Sequence, residues 1–156
     1  MKDADRQQLQ QALTDFVTSY LPLANAMRVS VDDYDGKSLS LSAPLEHNIN
    51  DKQTAFGGSL FCLSVMCCWG MAYVKCLAHG IKEPNIVVSH AEIDYLAPVN
   101  CDILTASCRV ELSDFESFFQ YYDQHGKARI DLVAMVNNAQ GQAVSFKGRY
   151  AILDSN

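Results

Sequence analysis

The sequence has no excess of positive charge: 12 Lys and Arg stand against 18 Asp and Glu, a net charge of −6 with a pI near 5.0. Binding a phosphate backbone needs a basic field, so no nucleic-acid partner is expected. The chain also lacks a recognisable leader, having no basic stretch followed by an apolar core and a small-residue cleavage site at its start. Six cysteines without such a leader point to a reducing, cytoplasmic setting rather than to a disulfide scaffold. Those cysteines (Cys62, Cys67, Cys68, Cys76, Cys101 and Cys108) contain no C-x-x-C spacing, and the only close approach of Cys to His is Cys76 with His79. No metal and no other cofactor is expected, and the thiols read as small buried hydrophobes. Internal repeats, low-complexity tracts and linker-like composition are missing too, so the 156 residues read as one domain, 1–156.

What the chain does have is apolar residues in ordered spacing, 49 % of the total. Residues 3–21 predict an amphipathic helix, with Asp3 able to cap it and Leu9, Leu13, Phe16, Val17 and Tyr20 recurring at helical intervals before Pro22. Two strand-like runs, 27–35 and 37–43, flank the hairpin dipeptide Asp35-Gly36. Four further strands are predicted at 85–99, 102–112, 127–137 and 142–153, each alternating in polarity and separated by turn residues. The aromatic segment 114–122 reads as a strand connection that either fills the core, lines a channel or meets another subunit.

Between these strand groups runs the uncharged stretch 55–74, about the length that spans a bilayer. Its interspersed Gly57, Gly58, Ser59, Ser64 and Gly70 and the lack of a cluster of Lys or Arg on either flank argue against a membrane, and the half-apolar strands need a hydrophobic partner. A helix of about 55–79 wrapped by a sheet meets that need. Just before it stands a polar loop with Asn48, Asn50 and Thr54, followed by Phe56-Gly57-Gly58-Ser59. The first turn of a helix offers unpaired N–H groups and a positive dipole end, and glycines there let a carbonyl oxygen come close.

The text Asn48-x-Asn50, Thr54-x-Phe56-Gly57-Gly58-Ser59 and Trp69-Gly70, with Ala91-Glu92-Ile93-Asp94-Tyr95-Leu96-Ala97-Pro98-Val99 downstream, resembles the bacterial putative-thioesterase branch of the hot-dog superfamily. In some relatives this domain follows a GNAT acetyltransferase domain. The resemblance covers about 25–153 and implies an α+β hot-dog fold: a curved antiparallel sheet around one long central helix, here with an extra N-terminal helix. It implies an acyl-CoA or acyl-carrier-protein thioester as substrate, with Gly57 donating its N–H to the thioester carbonyl and Asn50, seven positions earlier, assisting. Asn48 and Gly58 join them as catalytic candidates, and Thr54, Phe56, Ser59, Ser64 and His90 as substrate-binding ones. It also implies a homodimer or higher oligomer with the site at the interface.

The sequence departs from that pattern at one place. Many hot-dog thioesterases carry an Asp or Glu about eight residues after the polarising Gly; here that position is Val65, and no carboxylate occurs between Asp51 and Glu83. Ser64 could hold a water, and His90, Glu92 and Asp94 share one strand face that either reaches a pocket or faces solvent. The missing base leaves three readings open: hydrolysis, decarboxylation of a malonyl thioester, which needs no base, or acyl-carrier binding without turnover. Lys82, Arg109, Lys127, Arg129, Lys147 and Arg149 are the cations available to a phosphopantetheine arm.

Overall fold

The computed structural model describes residues 1–154. Helix α1 (Asp3–Tyr20) is followed directly by a short helix α2 (Pro22–Met27), then by strands β1 (Ser30–Tyr34) and β2 (Ser38–Pro44). The long helix α3 (Gly57–Ala78) precedes β3 (Asn85–Tyr95), β4 (Ile103–Arg109), helix α4 (Leu112–His125), β5 (Lys127–Asn138) and β6 (Gly141–Leu153). All six strands form one antiparallel sheet in the order β1-β2-β4-β5-β6-β3, with β1 and β3 at its edges. This is the expected hot-dog arrangement.

Alternation along the strands decides which face meets α3. Ala128, Ile130, Leu132, Ala134 and Val136 of β5 point inward with Val144, Phe146, Tyr150 and Ile152 of β6, and all are buried. They enclose α3, whose most apolar window is 61 % buried inside the fold although its length and composition would also fit a bilayer. Gly70 is the point where α1 meets α3, because a Cβ there would stand 3.0 Å from Leu13 Cδ2 and 3.1 Å from Leu39 Cδ2. One turn on, Trp69 and Tyr73 stack on each other and the Phe16 ring lies tilted against both, and the Trp69 indole donates to the Ile86 carbonyl of β3 at 3.2 Å.

Several elements differ from the sequence expectation. Pro22 does end α1, but it also opens α2, since its fixed φ and missing N–H suit the first helical position. The strand expected to run to Leu112 stops at Arg109, and the aromatic segment is a helix rather than a connection. Phe115, Phe118 and Phe119 recur at helical intervals and are buried, and Gly126 ends the helix in the left-handed region (φ 67). These rings fill the core.

Candidate functional site

The loop before α3 is built from its own side chains. Asn48 is buried, and its amide donates to the Met27 carbonyl at 2.9 Å and to the Pro44 carbonyl at 2.8 Å. Its backbone carbonyl accepts from Phe56 N at 2.7 Å. Asn48 thus ties the end of α2, the end of β2 and the start of α3 together, and both amide hydrogens are spent in doing so. That corrects the expectation of a substrate donor at Asn48: it is a brace.

Asn50 forms an Asx turn. Its Oδ1 accepts from Lys52 N at 2.8 Å and Thr54 N at 3.1 Å, while Nδ2 donates to Thr54 Oγ1 at 2.9 Å. Gln53 takes a left-handed φ of 61 to close the turn, and Ala55 N donates to the Val99 carbonyl at 2.7 Å. Thr54, a substrate-binding candidate, serves this turn; the N-cap is Phe56, in extended conformation and with no side-chain cap bond.

Helix α3 therefore starts with bare backbone. Leu60 N is bonded to the Phe56 carbonyl at 3.1 Å, which leaves Gly57, Gly58 and Ser59 N–H as the donors of the first turn, at the positive end of a 22-residue helix. Two aromatic rings flank them. The Tyr95 hydroxyl donates to the Gly57 carbonyl at 2.8 Å, and a Cβ on Gly57 would rest 3.4 Å from that ring. A Cβ on Gly58 would overlap the Phe56 ring, so Gly58 is the space that Phe56 occupies. Phe56 and Tyr95 are 56 % and 52 % exposed, forming an open apolar rim. Partial burial, and then the neighbouring Cys62 thiol, push the Tyr95 phenol above its ordinary pKa, so it is a neutral donor at pH 7.

Tyr95 was not singled out by sequence reasoning. The signal was present in the alternation Ala91, Ile93, Tyr95, which places the last residue of β3 on the inner face beside the helix start.

Other expected site residues lie elsewhere. Ser64 is fully buried on the inner side of α3, and its hydroxyl has neither a back-bond to the preceding turn nor any other protein partner. It lies in the core of the chain. His90, Glu92 and Asp94 pair with Arg149, Lys147 and Ser145, on the sheet face opposite Phe146 and Tyr150. His90 therefore points away from its own chain's helix start. On that outer face Arg149 pairs with Asp131 at 2.7 Å, and this bond holds the Asp131 carboxyl below its usual pKa.

The thiols of Cys67, Cys68 and Cys76 are buried, and desolvation raises all three, Cys76 to about 12. They are inert core groups. The acid-free helix stands as read: Val65 is half-buried, and its carbonyl accepts from the Tyr150 hydroxyl at 2.9 Å.

Comparison with known proteins bears on the family and the fold. A family model described as "Putative thioesterase (yiiD_Cterm)" matches residues 8–154. A solved structure of a protein of unknown function from Chlorobaculum tepidum TLS is 39 % identical, covers 96 % of this chain and 97 % of its own, and superposes with a TM-score of 0.91. The putative thioesterase from Shewanella oneidensis is 26 % identical over 94 % of this chain and 98 % of its own, with a TM-score of 0.80. A curated relative, ribosomal RNA small subunit methyltransferase G of Bordetella bronchiseptica, is 24 % identical over 119 residues, and the chain spans 56 % of its length.

Proposed function

The chain belongs to the putative thioesterase (yiiD_Cterm) family of hot-dog proteins, and on that premise we propose that it hydrolyses acyl thioesters, of CoA or of an acyl carrier protein, at the N-terminus of α3. The observation that carries the proposal is the uncapped first turn of α3, where Gly57 and Gly58 present backbone N–H groups with no side chain of their own in the way.

A thioester carbonyl docked there points its oxygen at those donors. As water attacks the carbonyl carbon, charge grows on that oxygen, and fixed N–H dipoles at the helix start stabilise it more than they stabilise the neutral carbonyl. The C–S bond then breaks. The thiol leaves as a thiolate, a group whose conjugate acid ionises near pH 8.5, so its departure needs no strong acid. The proton of the attacking water passes to solvent and finally to the thiolate. With Val65 where an acid is expected, no carboxylate of α3 assists the water, and general-base help is worth about 10²–10⁴ in rate. The proposed enzyme is correspondingly slow.

The same apolar position supports a second reading. Loss of carbon dioxide from a malonyl thioester leaves an enolate that the same donors would hold, and a carboxylate beside it would raise the barrier. Edge strand β3, with Val87 and Val88 exposed, supports pairing of two copies edge to edge into a homodimer. Mass-spectrometric product analysis over acyl-CoA, acyl-carrier-protein and malonyl thioesters tests the function. Free acid with free thiol means hydrolysis, and acetyl thioester with carbon dioxide means decarboxylation. Intact substrate throughout would leave only a binding module.

A further inference from the structure

At the opposite end of α3 from its first turn lies a cavity of about 390 Å³, bounded by the start of α1, the turn between β1 and β2, the end of α3 and the start of α4. Lys75 of α3 lines it and follows Gly57 by 18 positions, about 27 Å along the helix at 1.5 Å per residue, so the cavity is separate from the helix start. We propose that this cavity binds a small, singly charged organic carboxylate whose head group pairs with the Lys75 ammonium. The proposal does not depend on the thioesterase reading and gives the chain a second ligand site.

Three observations carry it. First, Lys75 is a buried charge without a counter-charge. It is the only charged residue of α3 and, among the described residues, the only charged side chain in the core, 8 % exposed. Its Nζ donates to the Gly36 carbonyl at 2.5 Å and lies 5.6 Å from the centre of the Phe115 ring, and no carboxylate of the described residues forms an ion pair with it. An ammonium has three hydrogens to donate, and one is spent here. Desolvation draws Lys75 below its ordinary pKa, with Asp35 opposing the shift and Lys37 adding to it. An anion in the cavity supplies the partner that a buried charge ordinarily has.

Second, the charges around the cavity suit one negative charge better than two. Arg6 is bonded to Asp3 and to the Asp35 carbonyl, and Lys37 stands 3.9 Å from Glu111, so both rim cations already have partners. Asp35 lines the cavity too. Its carboxylate accepts from Lys37 N at 2.8 Å and Ser38 N at 2.7 Å, bonds that hold it below the usual carboxylate range and therefore ionised. A monoanion satisfies Lys75, whereas a dianion meets twice the repulsion from Asp35.

Third, the walls suit a small organic body. Met1 and Leu112 are apolar, and the Tyr34 ring completes the lining, its buried hydroxyl having no protein partner. The carbonyl that holds Lys75 belongs to Gly36, whose left-handed φ of 98 and whose approach to Met1, 3.1 Å from Cε to a Cβ placed there, fix the turn. The cavity equals about thirteen water volumes of about 30 Å³ each, room for an acid of a few carbons.

The test is calorimetric titration of the protein with acetate, pyruvate and benzoate, and with inorganic phosphate, at constant ionic strength. At least one of the three carboxylates is expected to bind saturably, at one site per chain and more tightly than phosphate. Lys75→Met keeps most of the apolar stem and removes the charge; it is expected to weaken that binding at least tenfold and to abolish the rise in melting temperature that the ligand gives the wild type. Arg6→Gln, at the exposed end of the cavity, is expected to weaken binding several-fold and decides the matter should Lys75→Met fail to fold. No saturable heat with any of the three acids overturns the proposal, as does a carboxylate affinity unchanged in either variant. Phosphate bound more tightly than every carboxylate overturns the assignment of a singly charged ligand.

Discussion

The Tyr95 hydroxyl donates to the Gly57 carbonyl across 2.8 Å, joining the last residue of edge strand β3 to the first residue of the central helix. The bond fixes the direction in which the first-turn N–H groups point without using any of them.

Removing it alone should disturb function more than stability. Tyr95→Phe keeps the ring beside Gly57 and loses one half-exposed hydrogen bond, worth about 0.5–1.5 kcal/mol at most. The expected outcome in steady-state kinetics is a several-fold fall in kcat with KM nearly unchanged, since the geometry of the donors matters most when charge develops. An unchanged kcat would show that the helix start holds its orientation without Tyr95.

Asn48 should behave in the opposite way. Asn48→Ala strands the Met27 and Pro44 carbonyls inside the loop, and each unsatisfied group costs about 1–3 kcal/mol. Urea unfolding should show a clear drop in midpoint, larger than that of Asn50→Ala, whose turn lies nearer to solvent. A smaller drop than that of Asn50→Ala would contradict the bracing role.

Two buried tyrosines provide a matched pair. The Tyr34 hydroxyl is buried without a partner, whereas that of Tyr150 donates to the Val65 carbonyl. Tyr34→Phe is therefore expected to be neutral or stabilising, and Tyr150→Phe destabilising by about 1 kcal/mol, read from thermal or denaturant unfolding.

The same phenols set an alkaline limit. Burial pushes Tyr34 up from 10.0 to about 12 and raises Tyr150 further. Unfolded phenols ionise near pH 10 while the folded ones stay protonated, so the unfolded state binds fewer protons and stability falls as pH rises. The stabilisation is fully present below pH 10, is lost progressively above it, and is gone for Tyr34 beyond about pH 12. Unfolding curves at pH 9, 10 and 11 should show this decline, and Tyr34→Phe should make it shallower.

The strands, the enclosed helix and the donor loop were legible because each rests on a local rule: alternation, an uncharged run, and glycines behind asparagines. What escaped was mostly tertiary. Asn48 and Asn50 look alike in sequence, and only the position of α2 makes one a brace and the other a turn former. Helix α4 was missed although Phe115, Phe118, Phe119 and Tyr122 keep helical spacing, because an aromatic run between strands also fits a buried connection. His90 and Ser64 depend on the face each occupies, outward for one and fully inward for the other, which residue type alone does not fix.

Thiol release from octanoyl-CoA, followed for the wild type and for Gly57→Val, tests the central claim most directly. A valine there sets a branched side chain between Tyr95 and the carbonyl position, leaving the remainder of α3 in place. The account predicts slow release of thiol and free acid in equal amounts by the wild type, and a loss of about 10²-fold or more in a Gly57→Val protein with unchanged circular dichroism. Equal rates in the two proteins, or no thiol release by the wild type, would contradict it.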